Sequence, residues 1–159
     1  MKTQWDFTEL LEFADALNDE KRFDTELKRA TKEIAHELLR RIKAHTPIGD
    51  TWALINGWDK NDFAVTEVNG GFEVLLINPT MYATWVNDGH RQTPGRFIPG
   101  HFINGRFYYD QTAKGGMVLK QPFVKGRFFV EKGILDLENT TLIESIIQRH
   151  LDKWWEGCF

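Results

Sequence analysis

The chain has 159 residues, 42% of them hydrophobic and 27% charged, with a formal net charge of −3. Such values fit one globular domain and exclude a disordered or fibrous polymer; no apolar run nears the roughly 18 residues of a membrane span. A lone Cys158 leaves no internal disulfide framework, and the acidic, amphipathic start lacks the apolar core of a signal peptide, so folding in a cytoplasm is expected.

In chain order, Asp6 with Glu9 three residues on has the spacing of a helix cap and its reciprocal acid. Phe7, Leu10, Leu11, Ala14 and Leu17 then share one helical face, and Asn18-Asp19 breaks it. A longer helix is predicted from Asp24 to His45. Its apolar stripe is Phe23, Leu27, Ala30, Ile34, Leu38 and Ile42. Arg40, Arg41 and Lys43 suit the negative end of its dipole, and Thr46-Pro47-Ile48-Gly49 stops it.

Three strands are expected next, over 53–58, 63–68 and 72–77. The second and third form a hairpin about Asn69-Gly70, read as a turn in which both residues take positive φ. Leu75-Leu76-Ile77 is apolar on both faces, which predicts a central strand covered on both sides. Residues 81–87 form a short helix ended by Gly89. Beyond it, Pro and Gly exclude regular helix; a small hairpin is expected about Asn104-Gly105, with 117–119 rejoining the sheet. Thr141 and Glu144 open a final helix with apolar face Ile143, Ile146, Ile147, Leu151 and Trp154, followed by a tail holding Trp155 and Phe159.

Charge is unevenly spread. Residues 88–133 carry eight basic and three acidic side chains, interleaved with Phe97, Phe102, Phe107, Tyr108, Tyr109, Phe123, Phe128 and Phe129. Protein interfaces are rich in Arg and aromatics, and single-stranded nucleic acid uses the same pair through phosphate contact and stacking. The acidic remainder offers a matching surface for a second copy, which favours the protein interface. No catalytic signature is present. His90 and His101 with Asp88 and Asp110 match no metal-ligand spacing, Cys158 lacks a positioned base, no Gly-rich loop joins a strand to a helix, and six scattered Trp indicate no sugar platform. No catalytic residue, metal or cofactor is therefore expected.

Several of these motifs together resemble the HK97 gp10-like proteins of tailed bacteriophages. They are Thr46-Pro47-Ile48-Gly49 after the long helix, Leu54 to Trp58, Asn78-Pro79, Tyr82-Ala83-x-x-Val86-x-x-Gly89-His90, and Val124-Lys125-Gly126-Arg127-Phe128-Phe129. The resemblance spans about residues 20–135. Two features depart from the family: Asn87-Asp88 replaces a Glu followed by an aromatic, and the Gly89–Phe123 insert is long.

The resemblance implies a non-enzymatic virion component of the head–tail joint, from a phage or prophage. Such a tail-completion (neck) protein docks as a ring of copies among connector, neck and tail proteins, with DNA passing nearby without sequence-specific binding. It implies localisation in the virion after synthesis in the bacterial host. The alternative is a nucleic-acid-binding module using residues 88–133.

The fold expected is a single α+β domain over 1–159: a long N-terminal helix on a small, mostly antiparallel sheet, a short middle helix, a long loop over 91–123, and a C-terminal helix. The expected interface is Trp85, His90, Arg91, Arg96, Phe97, Arg106, Tyr108, Lys125 and Arg127. Tyr82 and Phe128 are expected to pack the segment's two ends onto the core.

Overall fold

The structure is a computed structural model that describes residues 2–16, 20–49, 51–60 and 64–156. It divides into two compact units, residues 1–83 with 129–159, and residues 84–128.

The first unit is built on one long amphipathic helix. After β1 (Lys2–Asp6) and α1 (Thr8–Ala16) comes α2 (Glu20–His45). All six residues of its predicted stripe are buried, because a 3.6-residue period sustained over 26 residues places them on one side. α2 packs against α1, against β3 (Gly71–Leu75), and against α5 (Phe129–Glu138) and α6 (Leu142–Glu156). The sheet has order β1-β3-β2, with β2 at Val65–Val68, and is antiparallel throughout. Phe7, Phe23, Leu27, Phe72 and Trp154 form a buried cluster, with Phe23 and Trp154 edge to face at 5.0 Å. The expected α+β class, long helix, antiparallel sheet and C-terminal helix are all present.

Several local expectations are corrected. The segment 53–58 is helical, not a strand: α3 spans Ala53–Gly57 and a 3-10 turn follows at Trp58–Lys60. Leu54 and Trp58 are buried, four residues apart on one helical face. Its carbonyls are satisfied from a distance, by Asn78 Nδ2 donating to Leu54 O (2.7 Å) and Thr80 Oγ1 to Ala53 O (3.3 Å). Gly57 lies beneath that loop: a Cβ there would meet Thr80 Oγ1 at 2.7 Å. Thus Leu54–Trp58 and Asn78-Pro79, separate motifs in the sequence, form one packed element. Thr46 is likewise explained. Its buried hydroxyl donates to Ile42 O (2.8 Å) and accepts from Trp58 Nε1 (3.1 Å).

β3 is central, but only one face is covered: Leu76 is buried while Leu75 and Ile77 are exposed. At Asn69-Gly70 only the glycine takes positive φ (82°). Asp6 ends β1, and its carboxylate accepts from Thr8 N (3.0 Å) and Thr8 Oγ1 (2.6 Å) just before α1. Leu17, Asn18-Asp19, Phe63, Cys158 and Phe159 lie outside the described residues. Trp155 belongs to α6 rather than to a tail.

α5 was not anticipated. Gly133 in its middle reads as a breaker, yet a Cβ there would meet Ile42 N at 2.7 Å, so the glycine lets α5 close on α2. Between α2 and α6, His150 Nδ1 lies 2.8 Å from Glu26 Oε2 and Nε2 3.2 Å from Glu33 Oε2. Arg29 pairs with Glu26, and Arg149 with Glu33 at 2.5 Å. Burial pushes the Glu26 carboxyl up, but hydrogen bonds from His150 and Arg29 outweigh it and hold it below its ordinary value. Glu33 is lowered chiefly by its hydrogen bond from Arg149. The buried Glu26 carboxylate is thus paired and hydrogen-bonded, as burial requires.

Candidate docking surface

The 84–128 unit is made by two chain segments running side by side. α4 (Ala83–Asp88) ends at Gly89, whose φ is 84°. β4 (Gly89–Arg91) then pairs antiparallel with β8 (Phe123–Lys125). Arg127 N donates to Val86 O and Phe128 N to Asn87 O, both at 2.9 Å, and Gln92 N donates to Pro122 O at 2.9 Å. Close approach demands glycine at two places. A Cβ on Gly89 would meet Gly126 N at 2.7 Å, and one on Gly126 would meet Gly89 N at 2.8 Å. The most specific motif of the chain, Tyr82 to His90 with Val124 to Phe129, therefore encodes the neck of this unit.

The segment beyond the neck, expected as a loop with one hairpin, carries a three-stranded sheet of order β6-β5-β7. β5 (Phe97–Ile103) and β6 (Arg106–Tyr109) form the Asn104-Gly105 hairpin, both turn residues having positive φ (50° and 78°). β7 (Gly116–Val118) pairs with β5 rather than with the first unit's sheet. The rings of Phe107 and Phe97 cover Gly100 and Gly116, where an added Cβ would lie 2.6 Å from each ring's Cζ. Phe102 and Phe107 meet edge to face at 5.2 Å, and His101 stacks on Tyr108 at 6.1 Å.

No hydrophobic side chain of this unit is buried; the buried residues are Asn87, Gly100 and Gly126. Ten large hydrophobics are exposed, among them Trp85 (61%), Tyr109 (66%), Phe102 (59%) and Phe97 (51%). The unit carries seven Lys or Arg against two Asp or Glu, a formal +5, while the rest of the chain carries −8. A groove of about 800 Å³ runs along it. Trp85, Ile98, Met117, Leu119 and Val124 supply its apolar lining, and His90, Arg91 and Arg96 its polar one. His90 lies 5.9 Å from Trp85, and its buried Nδ1 has no hydrogen-bond partner among the described residues.

Of the nine residues expected at an interface, Trp85, His90, Arg91 and Arg96 come together at the groove. Phe97, Arg106 and Tyr108 lie on the three-stranded sheet, and Lys125 and Arg127 at the neck; all five are exposed. Tyr82 and Phe128 do not pack the segment's ends inward, being 39% and 40% exposed. Phe128 has φ 53°, which turns the chain so that Phe129 is buried instead, edge to face with Trp58 at 6.3 Å. Sequence reasoning missed Ile98, Met117, Leu119 and Val124 as lining residues, since nothing in the sequence indicates which aliphatic residues face a groove.

The residues considered for a metal or acid–base site are engaged apart. Asp88 accepts from Asn87 Nδ2 at 2.6 Å. Asp110 accepts from Thr112 N (2.9 Å) and Thr112 Oγ1 (2.7 Å), and those bonds hold its carboxyl below the usual range. Among the described residues no group of three or more His, Cys, Asp or Glu could hold a metal, and no helix is long and apolar enough to cross a membrane.

Residues 84–128 thus form a unit with no buried hydrophobic side chain, cationic and rich in exposed aromatics. The profile of the HK97-gp10-like family, described as "Bacteriophage HK97-gp10, putative tail-component", matches residues 8–89. That is just over half the chain, and the protein belongs to this family of phage tail components. It is 27% identical over 139 residues to "Phage-like element PBSX protein XkdI" of Bacillus subtilis (strain 168), covering 83% of this chain and 85% of that one. It is 31% identical over 116 residues to "Uncharacterized protein YqbI" of the same strain, covering 66% of this chain and 67% of that one. No solved structure matches it at a significant level.

Proposed function

We propose that this tail component works at the head–tail joint of a phage or prophage particle, as a tail-completion or neck protein without catalytic activity. It is made in the host cytoplasm and acts in the virion, docking as a ring of copies among connector, neck and tail proteins. The observation that carries the reading is the 84–128 unit. It exposes ten large hydrophobics and buries none, while carrying +5. Surface of that composition is what a docking contact consumes. The acidic remainder, −8, suits a channel through which DNA passes without being gripped.

Disruption of the gene in its parent genome tests this, with particles viewed by negative-stain electron microscopy. DNA-filled heads beside separate finished tails are expected. Normal infectious particles would contradict the reading. A nucleic-acid-binding module would instead show DNA affinity that falls steeply with salt.

A further inference from the structure

The docking reading leaves open what occupies the groove of the 84–128 unit. Two such units do not pair with each other readily, since each carries +5 and like charge opposes a symmetric contact. The groove's apolar lining and its two arginines call for an exposed apolar knob set among carboxylates. The other unit of the same chain has one in the last turn of α6. Trp155 is 49% exposed, and the exposed Asp152 and Glu156 lie three residues before and one after it, outnumbering Lys153, the one cation of that turn. Asp152 neighbours Trp155 and Glu156 on the helix surface, at i,i+3 and i,i+4. The Trp155 ring meets that of the buried Trp154 edge to face at 6.1 Å and 63°. Leu135 on α5, between Glu131 and Glu138, is another such feature among the described residues, but an aliphatic residue lacks the cation–π attraction that an indole offers to arginine.

We infer that the groove of one copy receives the last turn of α6 of a second copy. Trp155 lies on the apolar lining, and Asp152 and Glu156 meet Arg91 and Arg96. This rests on the reading that the protein works by docking. It adds which two surfaces meet, the groove of one copy and the last turn of α6 of the next, a head-to-tail pairing of the kind that closes into a ring or runs on as a filament.

The test is sedimentation velocity of the full chain over a range of concentration and salt, for wild type, Arg91→Glu/Arg96→Glu and Asp152→Lys/Glu156→Lys. Wild type is expected to self-associate, less so at high salt. Each double variant alone should lose at least tenfold in association, and a 1:1 mixture, with the charges exchanged, should recover it. Arg91→Gln/Arg96→Gln and Asp152→Asn/Glu156→Gln replace the reversals should circular dichroism show either misfolded; each should likewise lose association. A wild type monomeric at every concentration, or variants that associate as wild type does, would overturn the inference. Complementation of the disrupted phage separates the two proposals. If the arginine variant fails to complete particles while the Asp152/Glu156 variant succeeds, docking stands and the second copy as occupant falls.

Discussion

The two units of this chain divide the work of a protein between them. Every buried hydrophobic side chain belongs to residues 1–83 and 129–159, whereas 84–128 buries two glycines and an asparagine. The first unit is held by apolar burial, worth about 1.5–3 kcal/mol for each fully buried large side chain. The second is held by a backbone neck, two strand pairings and aromatic rings laid over glycines. A unit without a core is marginal alone, and its exposed rings become useful only against another surface. Buried apolar side chains and a concentration of exposed aromatic ones thus fall in different parts of one sequence.

Substitutions should expose that division, beginning with the largest effect. Phe129→Ala, in the first unit, should cost about 3–5 kcal/mol, read as a fall in denaturant midpoint. Glu26→Gln removes the carboxylate facing His150 Nδ1, leaving only that of Glu33 near Nε2, and should cost about 1–3 kcal/mol by the same measurement. The same contact predicts acid sensitivity. The folded-state values of Glu26 and Glu33 lie below their unfolded ones. Their stabilisation is therefore complete above the ordinary glutamate value of about 4.3 and is lost as pH falls through the folded values. Thermal melts between neutral pH and the carboxylate range should show a decline that Glu26→Gln reduces.

Gly89→Ala puts a side chain at φ 84° against the other neck strand. The conformation alone should cost about 1–2 kcal/mol in the second unit, with the backbone collision added to it, seen as faster amide exchange over 97–118 with little change in global midpoint. Phe97→Ala removes a ring of comparable size from the second unit and should move global stability by no more than about 0.5 kcal/mol. It should nevertheless impair particle completion. A loss as large as that of Phe129→Ala would erase the distinction between the units.

The first unit was the more legible in sequence. α2 and α6 are long and periodic, so their buried faces could be named residue by residue. α3 was not legible, since its carbonyls are satisfied by Asn78 and Thr80, more than twenty residues on. α5 hid behind Gly133, whose reason for being glycine is a neighbour on α2. In the second unit the Asn104-Gly105 turn was plain from two residues, whereas the same pair at 69–70 places only the glycine at positive φ. The groove was half legible. Arg91, Arg96 and Trp85 stand out by charge and size, whereas Ile98, Met117 and Leu119 acquire meaning only through strand register.

On the proposed reading, residues 84–128 are a coreless docking unit and residues 1–83 with 129–159 a conventionally packed one. Native-state hydrogen exchange on the free full-length chain, read by mass spectrometry, tests it most directly. Amides of 97–118 should exchange by local opening, orders of magnitude faster than those of 27–42, which should exchange only with global unfolding. Equal protection in the two segments would show that the second unit shares the first one's cooperative core, and would contradict the account.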